Sequence, residues 1–402
     1  MKLNIAVIFG GKSTEHEVSV ISAIQAIENL DSENYNVIPI YMDKSGDFYY
    51  SDKNLLADSK NYKDIKKLLS QCQNVCFVKE KNNTYIKNVD DKLFGSKVKL
   101  SIDVAFPVVH GTNVEDGNLQ GFLHTLNLPV VGPDCLSAAV SMDKYVMKEY
   151  CRAIGIPVLP AIRFDKNDFK DVEKIVSCVE KEFAYPVIIK PLNLGSSIGI
   201  SKASDVSELK KGLELAFTFA SIVLVEPAIK KLREINCAVL GDKFDCECSA
   251  LEEPFGNDAI LSFADKYLSG GSKGSKGAGL KVAGAKGGSA TSGSKSGMAS
   301  LKRRVPAELD DKTATEIKTY AKKIFMYIGC SGVARIDFMI DGDSGKVYAN
   351  EINPIPGSLS YYLFTPLGME YKTLLDRLIN IALENYKMED RLSFTFENNL
   401  LS

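Results

Sequence analysis

The sequence predicts an α/β N-terminal domain with a doubly wound parallel sheet, followed by two α+β subdomains. Buried strands and amphipathic helices alternate over the first third of the chain, which is the pattern of parallel α/β folds. Further on, a polar hairpin at 332–353 and a lysine at the end of a buried strand, Lys190, place charged groups on rigid elements. Because buried charges need partners, these groups predict a site for charged ligands.

The first 132 residues are predicted to form the N-terminal domain. Continuous apolar runs predict strands buried on both faces, and apolar positions at helical spacing, such as Val20, Ile24 and Ile27, predict helices. We expect strands at 5–9, 37–41 and 102–109, helices at 17–30 and 119–126, and short β runs at 47–50, 75–78 and 84–86.

Two α+β units are predicted to follow, at 133–229 and 230–402. Gly155, with Pro157 beyond it, is a typical helix end. The first unit is predicted to contain helices at 138–155 and 206–219 and strands at 185–190 and 222–226. The second is predicted to contain strands at 234–240 and 244–250, helices at 311–328 and 370–386, and the hairpin.

The composition argues against several functional classes. Of 402 residues, 45% are hydrophobic and 25% charged, as in soluble globular proteins. The formal net charge of −2 provides no general attraction to nucleic acid or to an anionic membrane. No apolar run is long enough for a transmembrane helix, and the run at 5–9 is too short for a signal peptide. We therefore expect a cytoplasmic protein.

The cysteines do not predict a metal site. There are nine, an odd number without a CxxC pair, and only three histidines accompany them. Because zinc sites need clustered Cys and His ligands, we expect most of these cysteines to be small core residues.

The segment 268–300 differs from the rest, because it consists almost wholly of Gly, Ser, Ala and Lys. Such a composition buries too little apolar surface to offset the entropy of ordering, which predicts mobility. Three interpretations are open: a flexible loop, a basic arm for nucleic acid, and a lysine-bearing lid that closes over phosphates. Its position between two strands of one domain favours a loop or a lid.

The hairpin at 332–353 carries the clearest chemistry. Arg335 and Asp337 lie on its first predicted strand, and Glu351 and Asn353 lie on its second. When the hairpin folds, Asp337 is expected to come level with Glu351 and Asn353. Sparse oxygen ligands of this kind suit Mg²⁺, which keeps waters and substrate phosphates in its shell. The turn at 341–345 lacks the ligands of a calcium loop, so we interpret it as a hairpin turn.

Other local motifs are weaker when taken singly. Gly10-Gly11-Lys12-Ser13 resembles the end of a P-loop, but the first glycine is missing. Glu15, at the helix start that follows, can bind an ammonium group or interact with the helix dipole. Lys190 precedes a Gly/Ser loop at 193–199 that can wrap phosphate oxygens. Glu226 ends a buried strand, where it can accept from a ribose hydroxyl or cap the turn.

Together, seven motifs resemble the D-alanine–D-alanine ligases of the ATP-grasp superfamily, and they occur in the order of that family. They are GGKSTEHEVS at 10–19, HGTNVEDGNLQG at 110–121, MDK at 142–144, IIKPLNLGSSIG at 188–199, ADKYLS at 264–269, GVARIDF at 332–338 and NEINPIPGS at 350–358. The resemblance covers nearly the whole chain and implies an ATP-grasp fold behind the N-terminal domain.

The resemblance also implies roles for individual residues. For ATP, Lys144 and Lys190 would contact the phosphates and the loop with Ser197 would close over them. Glu226, Glu234 and the backbone near Ala228 would hold the ribose and adenine. Two Mg²⁺ ions, or Mn²⁺ in their place, would bind the hairpin ligands Asp337, Glu351 and Asn353.

For the amino acids, Glu15 would bind the ammonium of the first substrate, with His110 nearby. Ser196 and Tyr267 would hydrogen-bond with Glu15. Arg335 and the Gly357 N–H would stabilise the oxyanion. Lys266 would face the carboxylate of the second substrate, with Ser358 close to the same site.

The implied activity is ATP-dependent joining of two D-alanine molecules through an acyl phosphate, for peptidoglycan and cell-wall synthesis, by a homodimer that binds neither nucleic acid nor membrane. Tyr362 stands where the family usually has a serine, nine residues after the metal-binding asparagine. A related ligase that uses D-serine or D-lactate as the second substrate is therefore an alternative. A nucleotide-binding protein without turnover is a further alternative, which the intact hairpin residues disfavour.

Overall fold

The computed structural model describes residues 2–90, 97–195, 197–254 and 303–395. The segment 268–300 and three predicted site residues, Ser196, Lys266 and Tyr267, lie outside the described residues. Within the described ranges, no helix is both long enough and apolar enough to span a bilayer.

The N-terminal part contains a seven-stranded sheet in the order β6-β5-β4-β3-β2-β1-β7. Strand β1 pairs in parallel with β2 and β7, as the apolar runs predict, and β3 to β6 extend the sheet as antiparallel strands. The strands are β1 Leu3–Gly10, β2 Tyr35–Met42, β3 Phe48–Tyr50, β4 Gln73–Glu80, β5 Asn83–Asn88, β6 Lys99–Ile102 and β7 Val104–Pro107. The helices are α1 His16–Asn29, α2 Ile65–Leu69 and α3 Asn118–Thr125.

A four-stranded antiparallel sheet follows, in the order β10-β9-β11-β8. Its strands are β8 Ile162–Asp165, β9 Val187–Pro191, β10 Ser201–Ala203 and β11 Ile222–Pro227. The helices of this region are α4 Cys135–Met142, α5 Lys144–Ala153, α6 Val172–Glu182 and α7 Val206–Phe219. Helices α6 and α7 pack on this sheet, whereas Met147 and Cys151 of α5 belong to the core of the next one.

The third sheet, β13-β12-β16-β17, is also antiparallel and carries the predicted hairpin. Its strands are β12 Leu232–Gly241, β13 Cys246–Cys248, β16 Gly332–Asp341 and β17 Val347–Asn353. Beside it lie the short pair β14 Glu253–Pro254 and β15 Arg303–Arg304, helix α8 Asp311–Tyr327 and helix α9 Tyr371–Glu389. The apolar face of α9, including Leu374 and Leu378, packs into the N-terminal core.

Two predicted elements are interrupted by aspartates. The single helix predicted at 138–155 is wrong, because Asp143 separates α4 from α5 and accepts hydrogen bonds from the N–H groups of Tyr145 and Val146. This side chain caps a new helix more favourably than it continues the old one. The strand predicted at 102–109 divides at Asp103, whose carboxylate accepts from the Asn4 N–H.

Candidate active site

The β16–β17 hairpin presents its four predicted residues on one face. Asp337 pairs with Glu351, as expected, and Asn353 is level with Arg335 rather than with Asp337. Because side chains alternate along a strand, these two pairs point to the same side. Arg335 forms a bidentate ion pair with Asp337, with Nε to Oδ1 and Nη2 to Oδ2 both at 2.7 Å.

The same face provides a sparse set of oxygen ligands. The Asn353 amide donates to Asp337 Oδ2 at 3.1 Å, and Glu351 lies 3.6 Å from the Lys144 ammonium. No cluster of three or more His, Cys, Asp or Glu side chains capable of holding a metal occurs within the described ranges. The candidate set is therefore two carboxylates and one carboxamide oxygen, which fits Mg²⁺ with waters and phosphates completing its shell.

A buried ion triad lies on the neighbouring sheet. Glu226 on β11 contacts Lys190 on β9 at 2.7 Å and Lys148 on α5 at 2.9 Å. Burial raises the pKa of Glu226, but the two ammonium groups outweigh burial and bring that pKa to about 2. Burial lowers the pKa of Lys148, and the charge of Glu226 opposes this shift. Lys190 thus has the anionic partner that its buried position predicts, and Glu226 is held between two cations.

A β-bulge joins the triad to the hairpin. Phe338 pairs with Ala349 while Asp337 pairs with Glu351, so Asn350 is an extra residue on β17. Its side-chain oxygen accepts from Lys190 Nζ at 3.0 Å. Lys144, at the start of α5, donates to the Leu194 carbonyl at 2.7 Å. Both lysines therefore face the gap between the two sheets.

Glu15 occupies a narrow space that two glycines create. A Cβ atom at Gly195 would lie 2.7 Å from Glu15 Oε2, and one at Gly111 would lie 2.9 Å from the same atom. Gly111 also has a φ of +85°, which disfavours any larger residue. Gly195, after β9, thus approaches the carboxylate of Glu15, which is buried.

Two further buried titratable groups, His110 and Glu115, contact Ile355 in the segment after β17. His110 Nδ1 lies 2.8 Å from the Ile355 carbonyl oxygen, and burial lowers the pKa of His110 to about 4. Glu115 accepts from the N–H groups of Gly111 at 2.7 Å and Ile355 at 3.0 Å. Burial and the nearby charge of Glu15 nevertheless raise the pKa of Glu115 to about 8. At neutral pH His110 is therefore uncharged and Glu115 is mostly protonated.

One cavity collects most of the predicted site residues. Those that line it are Glu15, His110, Lys144, Lys190, Ser197, Glu226, Ala228, Glu234, Arg335, Asp337, Glu351, Asn353 and Gly357. Ser358 is not among the lining residues, because its side chain points away and donates to Gln25 Oε1. Its hydroxyl holds a turn rather than facing the cavity, which gives no support to the predicted contact with substrate.

Tyr362, which stands where the motif resemblance implies a serine, belongs to a second cluster around the buried Glu252. Its hydroxyl donates to Glu252 Oε2 at 3.2 Å, and the Arg303 guanidinium lies over its ring at 4.2 Å. Arg303 Nη1 donates to Glu252 Oε1 at 2.6 Å, and Asn236 Nδ2 donates to Glu252 Oε2 at 3.0 Å. Glu252 and Asn236 line the same cavity as the hairpin.

Sequence reasoning missed several of these residues. Lys148 is four residues after Lys144 on one helix face, a spacing that could have indicated a second inward lysine. Glu115 lies inside the motif at 110–121 and follows His110 at a spacing of five. Glu252 and Arg303 gave no local signal, because they meet through the β14–β15 pair, whose strands are far apart in sequence.

The triad predicts a large stability effect for Glu226→Gln. The substitution leaves two buried ammonium groups without a negative charge, which should reduce the free energy of unfolding by about 3 kcal/mol. Urea denaturation measures this loss. Glu173→Gln, which removes a surface pair with Lys210, is the matched control and should cost less than about 1 kcal/mol. Equal losses of unfolding free energy in the two variants would contradict the role of Glu226 as the anionic partner of two buried lysines.

Glu115 predicts a pH dependence of stability. Its pKa is about 8 in the folded protein and 4.5 ordinarily, so its contribution is fully present below pH 4.5 and is lost as the pH rises to about 8. His110 changes stability only below its ordinary pKa of 6.5.

Between pH 6.5 and 8, Glu115 should therefore reduce the free energy of unfolding by roughly 1.5 kcal/mol. Urea denaturation at several pH values should show this slope, and Glu115→Gln should remove it. Glu28→Gln, an exposed change on α1, should keep it. An unchanged slope in Glu115→Gln would show that another group is responsible.

Comparisons with known proteins agree with this geometry. A family model described as the D-ala D-ala ligase N-terminus matches residues 4–133, and one described as the D-ala D-ala ligase C-terminus matches 150–284 and 294–380. The chain is 36% identical over 399 residues to the D-alanine–D-alanine ligase of Thermosipho melanesiensis, covering 99% of this chain and 98% of the relative. It is 35% identical over 402 residues to that of Caldicellulosiruptor bescii, covering 98% and 99%.

Two solved structures are also similar over nearly their whole length. The D-alanine–D-alanine ligase of Coxiella burnetii superposes with a TM-score of 0.75 at 28% identity, covering 97% of this chain and 96% of that one. The VanG D-Ala:D-Ser ligase of Enterococcus faecalis superposes with a TM-score of 0.73 at 28% identity, covering 95% and 100%. The predicted ATP-grasp architecture is confirmed, and the chain belongs to the D-alanine–D-alanine ligase family.

Proposed function

We propose that the protein joins two D-alanine molecules to D-alanyl-D-alanine at the expense of ATP, through an acyl phosphate, for peptidoglycan precursor synthesis. The observation that carries this proposal is the single cavity in which Lys144, Lys190 and Arg335 face the hairpin carboxylates and Glu15. Such a cavity can hold an anionic nucleotide, its divalent metal and a zwitterionic amino acid together. Family membership supports the same reaction.

The nucleotide is assigned to the gap between the second and third sheets. Lys144 and Lys190 would bind the phosphates, and the loop containing Ser197 and Ser196 would cover them. The adenine and ribose would lie along 226–234, where Glu226, Ala228 and Glu234 line the cavity. The Ala228 N–H donates to the Pro186 carbonyl at 3.0 Å, so this segment is fixed against the strand that carries Lys190.

Asp337, Glu351 and Asn353 would hold two Mg²⁺ ions, with Mn²⁺ able to replace them. Bound there, the metal would supply positive charge that offsets the charge of the phosphates, so that a carboxylate could approach the γ-phosphorus. Arg335 supplies a fixed positive charge beside the same ligands, since its pKa is raised by the adjacent Asp337 despite its burial.

Glu15 would bind the ammonium of the first D-alanine, which directs its carboxylate toward the γ-phosphate. Attack by that carboxylate forms the acyl phosphate and releases ADP. The amine of the second D-alanine then attacks the acyl carbon, and Arg335 with the Gly357 N–H would stabilise the tetrahedral oxyanion until phosphate leaves. Lys266 would contact the second carboxylate, and Ser196 and Tyr267 would hold Glu15 in place.

The acyl phosphate must be protected from water until the amine of the second substrate attacks it. We further propose that the protein acts in the cytoplasm as a homodimer. The predicted units, 1–132, 133–229 and 230–402, are proposed as the substrate domain and the two ATP-grasp subdomains.

A second candidate is ligation of D-alanine to D-serine or D-lactate. It is favoured by Tyr362, which stands where the resemblance implies a serine and whose hydroxyl donates a hydrogen bond to Glu252. The neighbouring VanG structure is described as a D-Ala:D-Ser ligase.

Phosphate release from ATP should reveal the second substrate. The purified protein is incubated with D-alanine alone and then with D-serine or D-lactate added, and products are identified by mass. D-alanyl-D-alanine as the main product supports the first proposal, and a mixed dipeptide or depsipeptide supports the second. If no acceptor stimulates phosphate release, neither ligase proposal holds.

Asp337→Asn should abolish turnover while ATP binding without Mg²⁺ largely survives. The substitution removes one negative metal ligand but keeps an oxygen of similar size and position. Isothermal titration with ATP in EDTA, beside phosphate release with Mg²⁺, separates the two effects. Asp343→Asn, in the exposed hairpin turn, is the matched control and should leave both measurements unchanged. Equal loss of binding and turnover would mean that Asp337 is structural.

A further inference from the structure

The segment after Asn353 contains a left-handed turn that non-glycine residues rarely adopt. Ser358, Leu359 and Ser360 have φ angles of 52°, 50° and 50° in succession. In this region the Cβ atom crowds the following carbonyl, so each of the three residues is unfavourable there. All three are nearly or fully buried. Contacts elsewhere in the protein must therefore hold the turn.

Those contacts come from helix α1 of the N-terminal domain. Ser22 Oγ accepts from the Ser358 N–H at 3.0 Å. Gln25 Oε1 accepts from the Ser358 hydroxyl at 2.7 Å. Within the turn, the Leu359 N–H donates to the Pro356 carbonyl at 2.8 Å. The two α1 side chains therefore accept hydrogen bonds from the N–H and from the hydroxyl of the first left-handed residue.

The hydrogen bonds form a chain with one direction. Because the Ile355 carbonyl can only accept, His110 Nδ1 must donate to it, at 2.8 Å. His110 is uncharged, so its Nε2 accepts from the Ser22 hydroxyl at 2.8 Å. Ser22 Oγ then accepts from the Ser358 N–H. In these three hydrogen bonds each hydrogen has one donor and one acceptor, and no two donors face each other.

The chain fixes a short segment at both ends. Ile355 is held through its carbonyl by His110 and through its N–H by Glu115 at 3.0 Å. Ser358 is held by Ser22 and Gln25. Only Pro356 and Gly357 lie between these anchors, and Gly357 lines the cavity. The direction of the Gly357 backbone is therefore set by contacts on either side of it.

We propose that Ser22 and Gln25 are positioning residues that hold the left-handed turn and so aim the Gly357 N–H at the oxyanion of the ligation step. This inference depends on the proposed function, because it assigns the oxyanion to that reaction. Neither side chain lines the cavity, so neither touches substrate. Both act through the turn.

The same helix links two parts of the site. Helix α1 begins directly after Glu15, the proposed contact of the first ammonium group. Ser22 and Gln25 lie two and three turns further along it. A shift of α1 would therefore move the ammonium contact and the anchors of the turn together, so the first substrate and the oxyanion donor keep a constant relative position.

Gln25→Leu removes the acceptor with little change in size, and Gln25→Glu restores an acceptor. Glu28→Leu makes a similar polar-to-Leu change at an exposed position on the same helix. We expect the ligation kcat of Gln25→Leu to fall about tenfold, with the KM for ATP within twofold, since a misdirected oxyanion donor loses part of its 10²–10³-fold effect. Gln25→Glu and Glu28→Leu should stay within about twofold of the unaltered protein.

Oxygen exchange within ¹⁸O-labelled ATP separates positioning from general damage, because it reports acyl-phosphate formation before the amine attacks. In Gln25→Leu this exchange should persist while dipeptide formation falls. Exchange and ligation that fall together, a Gln25→Glu variant as slow as Gln25→Leu, or a fully active Gln25→Leu would each overturn the proposal.

Ser358→Ala removes the same hydrogen bond from its other end and serves if Gln25→Leu folds poorly. The double variant should be no slower than the slower single variant, whereas additive losses would overturn the proposal. Hydrogen–deuterium exchange over 354–360 should be faster in both single variants and not in Glu28→Leu, and unchanged exchange would also overturn it. Hydrogen–deuterium exchange tests the turn without any turnover. Failure of the proposed function would be seen separately, because the unaltered protein would then make no dipeptide.

Discussion

The register of the β16–β17 hairpin is the constraint on which the site depends. It places Arg335 and Asp337 beside Asn353 and Glu351 on one face, and a one-residue slip would turn one strand's pair to the opposite face. The bulge at Asn350 then adds a residue without changing the face of Glu351 and Asn353. That extra residue meets Lys190 of the neighbouring sheet. A local irregularity thus connects the proposed metal ligands to the proposed phosphate site.

Charge balance explains how this cavity can be stable and still receive anions. Lys190 is paired with Glu226, Lys144 with Glu351, and Arg335 with Asp337. A magnesium nucleotide would replace the Lys144–Glu351 partnership without loss, since its phosphates would pair with the lysine and its metal with the carboxylate. Neither charge would be left buried alone, which is the costly state. Glu226 would keep a positively charged partner even if Lys190 turned to a phosphate, because Lys148 also contacts it.

The sequence was sufficient for features that depend on local pattern. The parallel strands, helix α7 at 206–219 and the hairpin follow from periodicity and turn residues, and the structure confirms them. It was insufficient where distant groups compete with local preference. Asp143 breaks a helix that its neighbours favour, and three non-glycine residues adopt a left-handed turn because α1 binds it. To predict the contact between Lys148 and Glu226, one would have to know that α5 lies against β11.

The surroundings of Tyr362 show why one position alone does not define specificity. Tyr362 stands where the motif resemblance implies a serine, yet its hydroxyl donates to Glu252 and its ring is covered by Arg303. A serine at 362 would be too short to fill this space, and it would leave Arg303 and Glu252 paired with each other. The residue that faces the cavity here is Glu252, held also by Asn236. Residue 362 is therefore one member of a cluster formed by Asn236 on β12, Glu252 before β14, Arg303 on β15 and the segment after β17, so a substitution at 362 would disturb all four positions.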